Sequence, residues 1–265
     1  MSDRRKGIFQ MLSVTVITKN EAGNIEDCLR SVAWAQEIVV LDQFSTDGTA
    51  EAAKRLGARV YQEPWKGFAR QKNSALEKTT GDWVLSLDAD ERITLPLKEE
   101  IEETIGRKDA CSGYFIARKN FFSGRWIRHG GWYPDHCLRL FKKGAGRFED
   151  RAVHEKIVVK GATGYLRNPL EHYTYRSVAD YLIRMERYSR LAALEIPEAK
   201  RLSLWSALTL RPAFTFFNMY LLRGGLLDGK KGLFLAASYA YYTFLKYYRF
   251  SERTQNPSNP APSEE

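Results

Sequence analysis

The sequence has few cysteines, no grouped histidines and no long uninterrupted apolar run. Its three cysteines include no C-x-x-C pair, which argues against a disulfide framework and against a zinc ribbon. The four histidines have no zinc-ligand spacing. The first residues lack the apolar segment and small-residue cleavage site of a signal peptide. We therefore expect a globular protein of a reducing cytoplasm, in which the cysteines are small apolar residues.

Charge is distributed unevenly along the 265 residues, which carry a net charge of +9. Residues 1–155 have 25 Lys and Arg against 23 Asp and Glu, whereas residues 156–253 have 16 against 7. A balanced first part and a basic last part predict two regions that have different partners.

Short apolar segments alternate with helical patterns over the first 90 residues. Leu12–Ile17, Glu37–Asp42, Arg59–Gln62 and Trp83–Asp88 have the composition of strands. Asn24 is the expected N-cap of the first intervening helix. Strands that alternate with helices predict an α/β fold, in which a mostly parallel sheet is flanked by helices.

Three of these strands end in polar residues, namely Thr18–Glu21, Asp42 and Asp88–Glu91. Ligands of such sheets bind beyond the carboxyl ends of the strands, so these endings predict a binding site. Asp88 and Asp90 point to the same side because alternate residues of a strand share a face. Carboxylates without Cys or His nearby suit Mg²⁺ or Mn²⁺, ions that complete their coordination with a substrate phosphate. The motif therefore predicts a phosphorylated ligand.

Three blocks of the sequence carry a family resemblance: VTVITKNEAGNIEDCLRSV, EIVVLDQFSTDGT and LSLDADE. In order and spacing they resemble the nucleotide-sugar glycosyltransferases of the inverting GT-A group, family 2. The later blocks GRWIRHGGWYPDHCLRLFKK, AVHEKI and LLRGGLLDGKKG resemble the subgroup of lipopolysaccharide-core glucosyltransferases that act on heptose. The resemblance covers nearly all of the chain before its tail.

This resemblance implies a GT-A fold (Rossmann-like) and a hexosyltransferase with Mg²⁺ or Mn²⁺ as cofactor. The donor would be a nucleotide-sugar, UDP-hexose. The acceptor would be a lipid-linked saccharide such as the lipopolysaccharide inner core.

The resemblance also implies roles for the residues around the nucleotide. Thr18, Asn20 and Glu21 would line the nucleotide pocket, and Asp42 would accept hydrogen bonds from the base or ribose. Many relatives carry a second acid after this strand aspartate, which the block LDQFSTDGT lacks. Lys72 falls where the family places a basic residue near the nucleotide, and the alternative for Lys72 is an exposed helix charge.

For the metal, the resemblance implies that Asp90 binds the ion directly. Asp88 would contact the ion, the ribose or a metal-bound water, and Glu91 would orient the loop or such a water. His154 would be a metal ligand or a hydrogen-bond partner, with a structural role as the alternative.

For the proton transfer, the resemblance implies a general base on the face of the sugar opposite the leaving group, so that one displacement inverts the anomeric centre. Glu155, in AVHEKI, falls where relatives carry their catalytic acid. Asp135 and Asp150 are the alternative bases.

The last part of the chain contains two apolar stretches, LWSALTLRPAFTFFNMYLL and LFLAASYAYYTFLKYY. Both are too polar for membrane spans, because Arg211, Pro212, Asn218 and Lys246 interrupt them. Their mixture of basic and aromatic residues predicts helices that lie on an anionic membrane surface, with packing against the catalytic domain as the alternative.

Three regions are therefore expected: a catalytic domain over 1–175, a helical, basic and aromatic acceptor region over 176–253, and a disordered tail over 254–265. The protein would be cytoplasmic and peripherally attached to the inner face of the plasma membrane.

Three other functions fit parts of the sequence. A sugar-phosphate nucleotidyltransferase would also use a metal-binding Asp on an α/β sheet, but no glycine-rich phosphate loop with a Lys lies near the amino terminus. A nucleic-acid-binding protein fits the pI of 9.4, but not the balanced charge of the first 155 residues or the lack of a binding motif. We therefore expect no nucleic-acid partner. A glycoside hydrolase needs two acids that flank a bond, which adjacent Asp-x-Asp does not provide.

Overall fold

The computed structural model of the chain describes residues 10–149, 156–197 and 203–255. The chain forms two compact units. The first contains residues 1–120 and 134–174, and the second contains residues 121–133 and 175–265. The segment 121–133 thus belongs with the carboxy-terminal helices, although the sequence pattern placed it within a domain of residues 1–175.

The elements follow one another in this order. Strands and helices alternate at first as β1 (Leu12–Thr18), α1 (Ala22–Ser31), β2 (Glu37–Asp42), α2 (Thr49–Arg55), β3 (Arg59–Gln62), α3 (Phe68–Glu77), β4 (Trp83–Asp88), β5 (Glu91–Arg92) and α4 (Leu95–Ile105). Strands then predominate, as β6 (Gly113–Phe122), β7 (Arg125–Trp126), β8 (Asp135–Lys142), β9 (Gly146–Glu149), β10 (Lys156–Val159), β11 (Thr163–Tyr165) and β12 (Leu170–Tyr175). The chain ends in helices, α5 (Val178–Leu194), α6 (Leu204–Leu208), α7 (Leu210–Phe217) and α8 (Lys230–Gln255).

The main sheet of the first unit has the strand order β3-β2-β1-β4-β8-β6-β12-β5, and β11 also pairs with β6. Its first four strands are parallel, because each returns through a helix, whereas β8 runs antiparallel to both β4 and β6. All six residues of β2 are buried, as a strand covered on both faces requires. The expected α/β fold with helices around the sheet is confirmed.

Several boundaries confirm or correct the sequence prediction. The predicted strands Glu37–Asp42, Arg59–Gln62 and Trp83–Asp88 match the structure residue for residue. Asn24 is not the N-cap of α1, which was a wrong prediction. The helix already begins at Ala22, and the Asn24 amide donates instead to the Glu21 carboxylate over 2.7 Å.

The second unit is helical apart from a short hairpin, in which β7 pairs antiparallel with Phe121 and Phe122 at the end of β6. Its core contains Phe122, Trp132, Tyr181, Met185 and Leu235, so the aromatic segment 121–133 supplies part of the apolar surface that α5 and α8 bury. The predicted tail starts two residues too early, because α8 continues through Gln255; residues 256–265 lie outside the described chain. Within the described residues, no helix is long and apolar enough to cross a membrane.

Candidate active site

The three polar strand endings lie side by side at the carboxyl edge of the sheet. β1 pairs with β2 so that Thr18 lies opposite Asp42, and with β4 so that Ile17 lies opposite Asp88. The structure therefore brings together the strand-end residues that the sequence suggested for one site.

The loop after β1 is held by the loop after β2. Asn20 has a left-handed backbone, with φ of 53°. Its amide N–H donates to Ser45 Oγ over 2.8 Å, and its side-chain oxygen accepts from the Thr46 N–H over 2.9 Å. The Glu21 N–H donates to Thr49 Oγ1 over 2.9 Å. These contacts fix the positions of the two loops relative to each other.

Thr18, at the end of β1, carries a buried hydroxyl. Its Oγ1 has no hydrogen-bond partner among residues 10–149, 156–197 and 203–255. A buried polar atom without a partner is costly, and such atoms in native proteins usually bind water or a ligand. The Thr18 hydroxyl therefore has hydrogen-bonding capacity left for a ligand.

Asp42 is fully buried and binds its own loop. Its carboxylate accepts hydrogen bonds from the Ser45 N–H over 2.9 Å, from Ser45 Oγ and from Gln62 Nε2 over 3.1 Å. A hydroxyl and an amide thus surround the Asp42 carboxylate. Asp42 therefore stabilises the conformation of the β2–α2 loop.

Lys72 is not the exposed helix charge that was one of its two interpretations. Only 5% of its side chain is exposed, and its Nζ lies 2.9 Å from Asp88 Oδ1. Arg139 on β8 contacts the second carboxylate oxygen of Asp88. One of its nitrogens lies 2.6 Å from Asp88 Oδ2 and 2.6 Å from Glu91 Oε1. Glu91 in turn accepts the Asp88 N–H over 3.0 Å and so orients this loop.

These contacts determine the protonation of Asp88 and Arg139. Burial raises the pKa of Asp88, but Arg139 and Lys72 lower it by more, so that the pKa lies well below its ordinary value. Burial lowers the pKa of Arg139, whereas Asp88 and Glu91 raise it well above its ordinary value. Asp88 is therefore a carboxylate at neutral pH, and its negative charge is already balanced by protein cations.

Asp90 has a different partner, His172 on β12. Its Oδ2 lies 3.4 Å from His172 Nε2, because His172 is opposite Glu91 in the β5–β12 pair. The Asn120 side-chain NH₂ group donates to Asp135 Oδ2 over 3.1 Å. The Asn120 side-chain oxygen therefore faces His172 Nδ1, at 2.7 Å. Nδ1 must then carry a hydrogen. His172 Nε2 and the Asp90 oxygen consequently face each other across a gap that suits a cation or a proton.

The donor set can be tested against a divalent ion. Asp90 and His172 provide one hard oxygen and one imidazole nitrogen, and a histidine ligand whose other nitrogen is held by a hydrogen bond is the usual arrangement. Mg²⁺ and Mn²⁺ need few protein ligands, since waters and phosphate complete their coordination. In the described part of the chain, no three His, Cys, Asp or Glu side chains gather into a metal cluster. The two residues therefore fit an ion that is shared with a phosphorylated ligand.

Asp135 lies in an ion pair with Arg118, whose Nε and Nη2 lie 2.9 and 2.6 Å from Asp135 Oδ2. Burial raises the pKa of Asp135, but Arg118 lowers it by more, so that the pKa lies below its ordinary value. A general base needs a pKa closer to the working pH, so this pairing weakens Asp135 as a proton acceptor.

Three residues suggested by the sequence, Asp150, His154 and Glu155, lie outside the described residues. Two others, Arg139 and His172, were missed. The sequence around Arg139 carries no motif that indicates a role in the site. The distance between His172 and Asp90 in the sequence matches no motif, because the β5–β12 pairing that brings them together joins segments far apart in the chain.

Comparison with known proteins identifies the class of protein that this sheet edge belongs to. The model of the family described as glycosyl transferase family 2 matches residues 13–174. The chain belongs to glycosyl transferase family 2. It is a glycosyltransferase, as the three sequence blocks indicated. This assignment favours glycosyl transfer over the nucleotidyl transfer, glycoside hydrolysis and nucleic-acid binding that were considered from the sequence.

Individual relatives extend over nearly the whole chain. The lipopolysaccharide core biosynthesis glycosyltransferase LpsC of Rhizobium meliloti is 30% identical, over 94% of this chain and 95% of its own length. An uncharacterized glycosyltransferase of Rickettsia conorii is 28% identical, over 96% of this chain and 94% of its own length. Among solved structures, the mannosyltransferase PcManGT from Pyrobaculum calidifontis, in complex with GDP-Man and Mn²⁺, has a TM-score of 0.53 at 18% identity. The match covers 94% of this chain and 88% of the mannosyltransferase chain. This likeness supports the GT-A fold.

Proposed function

We propose that the protein is a metal-dependent inverting hexosyltransferase. It transfers the sugar of a nucleotide-sugar, with UDP-hexose as the first donor to test, to a lipid-linked saccharide such as the lipopolysaccharide inner core. The observation that carries the proposal is the edge of the sheet, where Asp88 is neutralised by Lys72 and Arg139 while Asp90 faces His172.

The nucleotide would lie over the ends of β1 and β2. The Thr18 hydroxyl is available to a ligand, and Asn20 and Glu21 belong to a loop that Ser45 and Thr49 hold in place. Asp42 shapes the neighbouring loop and would contact the base or ribose through its remaining lone pairs. Lys72 and Asp88, as a neutral pair, would position the ribose or the diphosphate without adding net charge.

Asp90 and His172 would hold the divalent ion, with His172 as a ligand that the sequence did not suggest. When bound, such an ion stabilises the negative charge that develops on the diphosphate leaving group. The nitrogen ligand favours Mn²⁺ over Mg²⁺, because Mg²⁺ is the harder ion. The mannosyltransferase with the similar fold was solved with Mn²⁺, which agrees with a divalent ion in this fold.

For the acceptor, Glu155 would accept the proton of the attacking hydroxyl. It is preferred to Asp135 because the Arg118 ion pair makes Asp135 a weaker base. Attack on the side of the sugar opposite the departing diphosphate inverts the anomeric centre in one displacement.

The second unit supports a membrane-bound acceptor. Leu210, Phe214 and Phe217 recur at the spacing of one face of α7, and 57%, 62% and 47% of their surfaces are exposed. Residues 156–253, which include this face, have 16 basic against 7 acidic residues, and such a face fits the interface of an anionic membrane such as the inner face of the plasma membrane. LpsC, the relative at 30% identity, is named for lipopolysaccharide core biosynthesis, which is consistent with a glycolipid acceptor.

The test is nucleotide release from a panel of UDP-, GDP- and dTDP-sugars, with Mn²⁺ or Mg²⁺ and a lipopolysaccharide-core acceptor. Asp90→Ala should abolish turnover. Glu155→Gln should lower turnover while nucleotide binding stays near wild type. Full activity of Glu155→Gln would transfer the role of base to Asp135 or Asp150, and no release from any donor by the wild-type protein would refute the proposed function.

A further inference from the structure

A cavity of about 520 Å³ lies in the second unit, and all of its lining residues belong to that unit. Its wall contains Arg125, Trp126, Arg128, His129 and Asp228. The volume is within the range of small-molecule sites, roughly 300–1,000 Å³. The strand-end site of the first unit contributes none of these residues.

The backbone around the cavity is held in place by hydrogen bonds with two charged side chains. Asp228, at the end of a short 3₁₀ turn, is 2% exposed and accepts the N–H groups of Arg128 over 3.2 Å and His129 over 2.8 Å. The Lys231 ammonium donates to the carbonyls of Phe122 over 3.0 Å and Ser123 over 2.7 Å. The cavity wall is therefore preorganised, which is what a binding site requires.

The charge in the cavity is positive. The Asp228 carboxylate accepts hydrogen bonds from two backbone N–H groups, and His129 Nδ1 lies 3.4 Å from its Oδ2. Arg125 and Arg128 have exposed side chains, and the Arg128 guanidinium lies 4.4 Å from the centre of the Trp126 ring. Stacking on an aromatic ring orients a guanidinium and leaves its edge N–H groups for an anion.

The combination of groups indicates the ligand class. Two guanidinium groups match carboxylate or phosphate oxygens in fork geometry. The Trp126 ring and Leu227 supply an apolar wall of the kind that the C–H face of a sugar ring contacts. We propose that the cavity binds an anionic sugar, one that carries a phosphate or a carboxylate, as a unit of the saccharide acceptor. This inference rests on the proposed function, because it assigns the acceptor a negatively charged sugar.

The inference is tested first by binding, without transfer. Glucose 6-phosphate, glucuronate, glucose and inorganic phosphate are titrated into the full chain by calorimetry. The two anionic sugars should bind at least tenfold more tightly than glucose or phosphate alone. Arg128→Ala should raise the Kd for glucose 6-phosphate at least tenfold, and Arg128→Lys should restore part of the affinity. Arg187→Ala, the same change at an exposed position of α5, should bind like the wild type.

Several results would overturn the inference. Equal affinity for inorganic phosphate and glucose 6-phosphate would mean a simple anion site. An unchanged Kd in Arg128→Ala would mean that the sugar binds elsewhere. A parallel loss of binding to phosphatidylglycerol vesicles in Arg128→Ala, but not in Arg187→Ala, would identify the cavity as a phospholipid headgroup site.

Kinetics separate this inference from the proposed function. With a phosphorylated core acceptor, Arg128→Ala should raise the acceptor KM at least tenfold and leave the donor KM unchanged. Absence of transfer by the wild type, with Arg128-dependent sugar-phosphate binding intact, would contradict the proposed function and not the cavity. Normal transfer with an unchanged acceptor KM in Arg128→Ala would contradict the cavity alone.

Discussion

At the scale of single residues, the first unit contains a row of alternating charges that ends at the candidate site. In order, the members of the row are Lys72, Asp88, Arg139, Glu91, Arg118 and Asp135. The nitrogen–oxygen distances between successive members are 2.9, 2.6, 2.6, 3.7 and 2.6 Å. Three cations balance three carboxylates, so the row adds no net charge. Asp90 lies outside it, which leaves Asp90 as the carboxylate available to a bound cation.

The Asp88 ion pairs should make stability depend on pH. Because the pKa of Asp88 is lower in the folded than in the unfolded chain, the unfolded chain binds the extra proton between the two values. The stabilisation is therefore present above about pH 4, the ordinary carboxyl value, and is lost as pH falls through the lower folded value. Urea titrations between pH 6 and pH 2 should show a shallower loss of stability in Asp88→Asn than in the wild type. Asp109→Asn makes the same change at an exposed position and is the control; an unaltered slope in Asp88→Asn would contradict the assignment.

His172 should be required for metal binding. Loss of a hydrogen-bond partner of a ligating His already lowers metal affinity by roughly 10–100-fold, so loss of the ligand itself should cost at least as much. Mn²⁺ binding to His172→Ala, measured by electron paramagnetic resonance with UDP present, should be weaker by at least that factor. His136→Ala, at an exposed position of β8, should bind Mn²⁺ like the wild type. Equal affinity in both variants would remove His172 from the metal site.

At the scale of elements, α8 makes a close backbone contact at Gly232. A Cβ added there would lie 1.8 Å from the Gly225 carbonyl oxygen, so only glycine fits without movement of the chain. Gly232→Ala should lower the free energy of unfolding by roughly 1–3 kcal/mol, the cost of overpacking, measured by urea unfolding. Gly106→Ala is the matched control, because its added Cβ would meet atoms no closer than 3.5 Å. Wild-type stability of Gly232→Ala would mean that α8 and the Gly225 turn do not touch in this way.

The exposed face of α7 should determine vesicle binding. Burying a Phe side chain fully contributes about 1.5–3 kcal/mol, so Phe214→Ser should weaken binding to phosphatidylglycerol vesicles by at least about tenfold. Phe44→Ser removes a similarly exposed Phe from the first unit and should have no effect in the same flotation assay. If both variants floated with the vesicles as the wild type does, α7 would not be the membrane-binding element.

At the scale of the whole molecule, positive charge is concentrated in residues 156–253, whereas residues 1–155 are nearly balanced. Attraction to an anionic surface is screened by salt, with a Debye length of about 10 Å at 0.1 M and about 3 Å at 1 M. Binding to phosphatidylglycerol vesicles should therefore fall steeply between about 0.05 and 0.5 M KCl. Weak binding to phosphatidylcholine vesicles should change little over that range. Salt-independent binding to the anionic vesicles would argue against the electrostatic contribution.

The sequence by itself determined the first half of the fold and the family. Strands such as Glu37–Asp42 and Trp83–Asp88 are short apolar segments bounded by polar turns, and burial of such segments is a local property that composition reveals. The side-by-side strand endings at Thr18, Asp42 and Asp88 followed from the general rule that parallel strands end at one edge of the sheet. The same local blocks carried the resemblance to glycosyl transferase family 2.

The tertiary structure alone decided which side chains meet. Arg139 reaches Asp88 across the β4–β8 pair, and His172 reaches Asp90 because β12 pairs with β5. The same is true of segment 121–133, whose aromatic residues belong to the core of the second unit. Partners far apart in the chain are selected by strand register and by the requirement that buried charges be balanced and buried rings be packed. Neither requirement leaves a local pattern in the sequence.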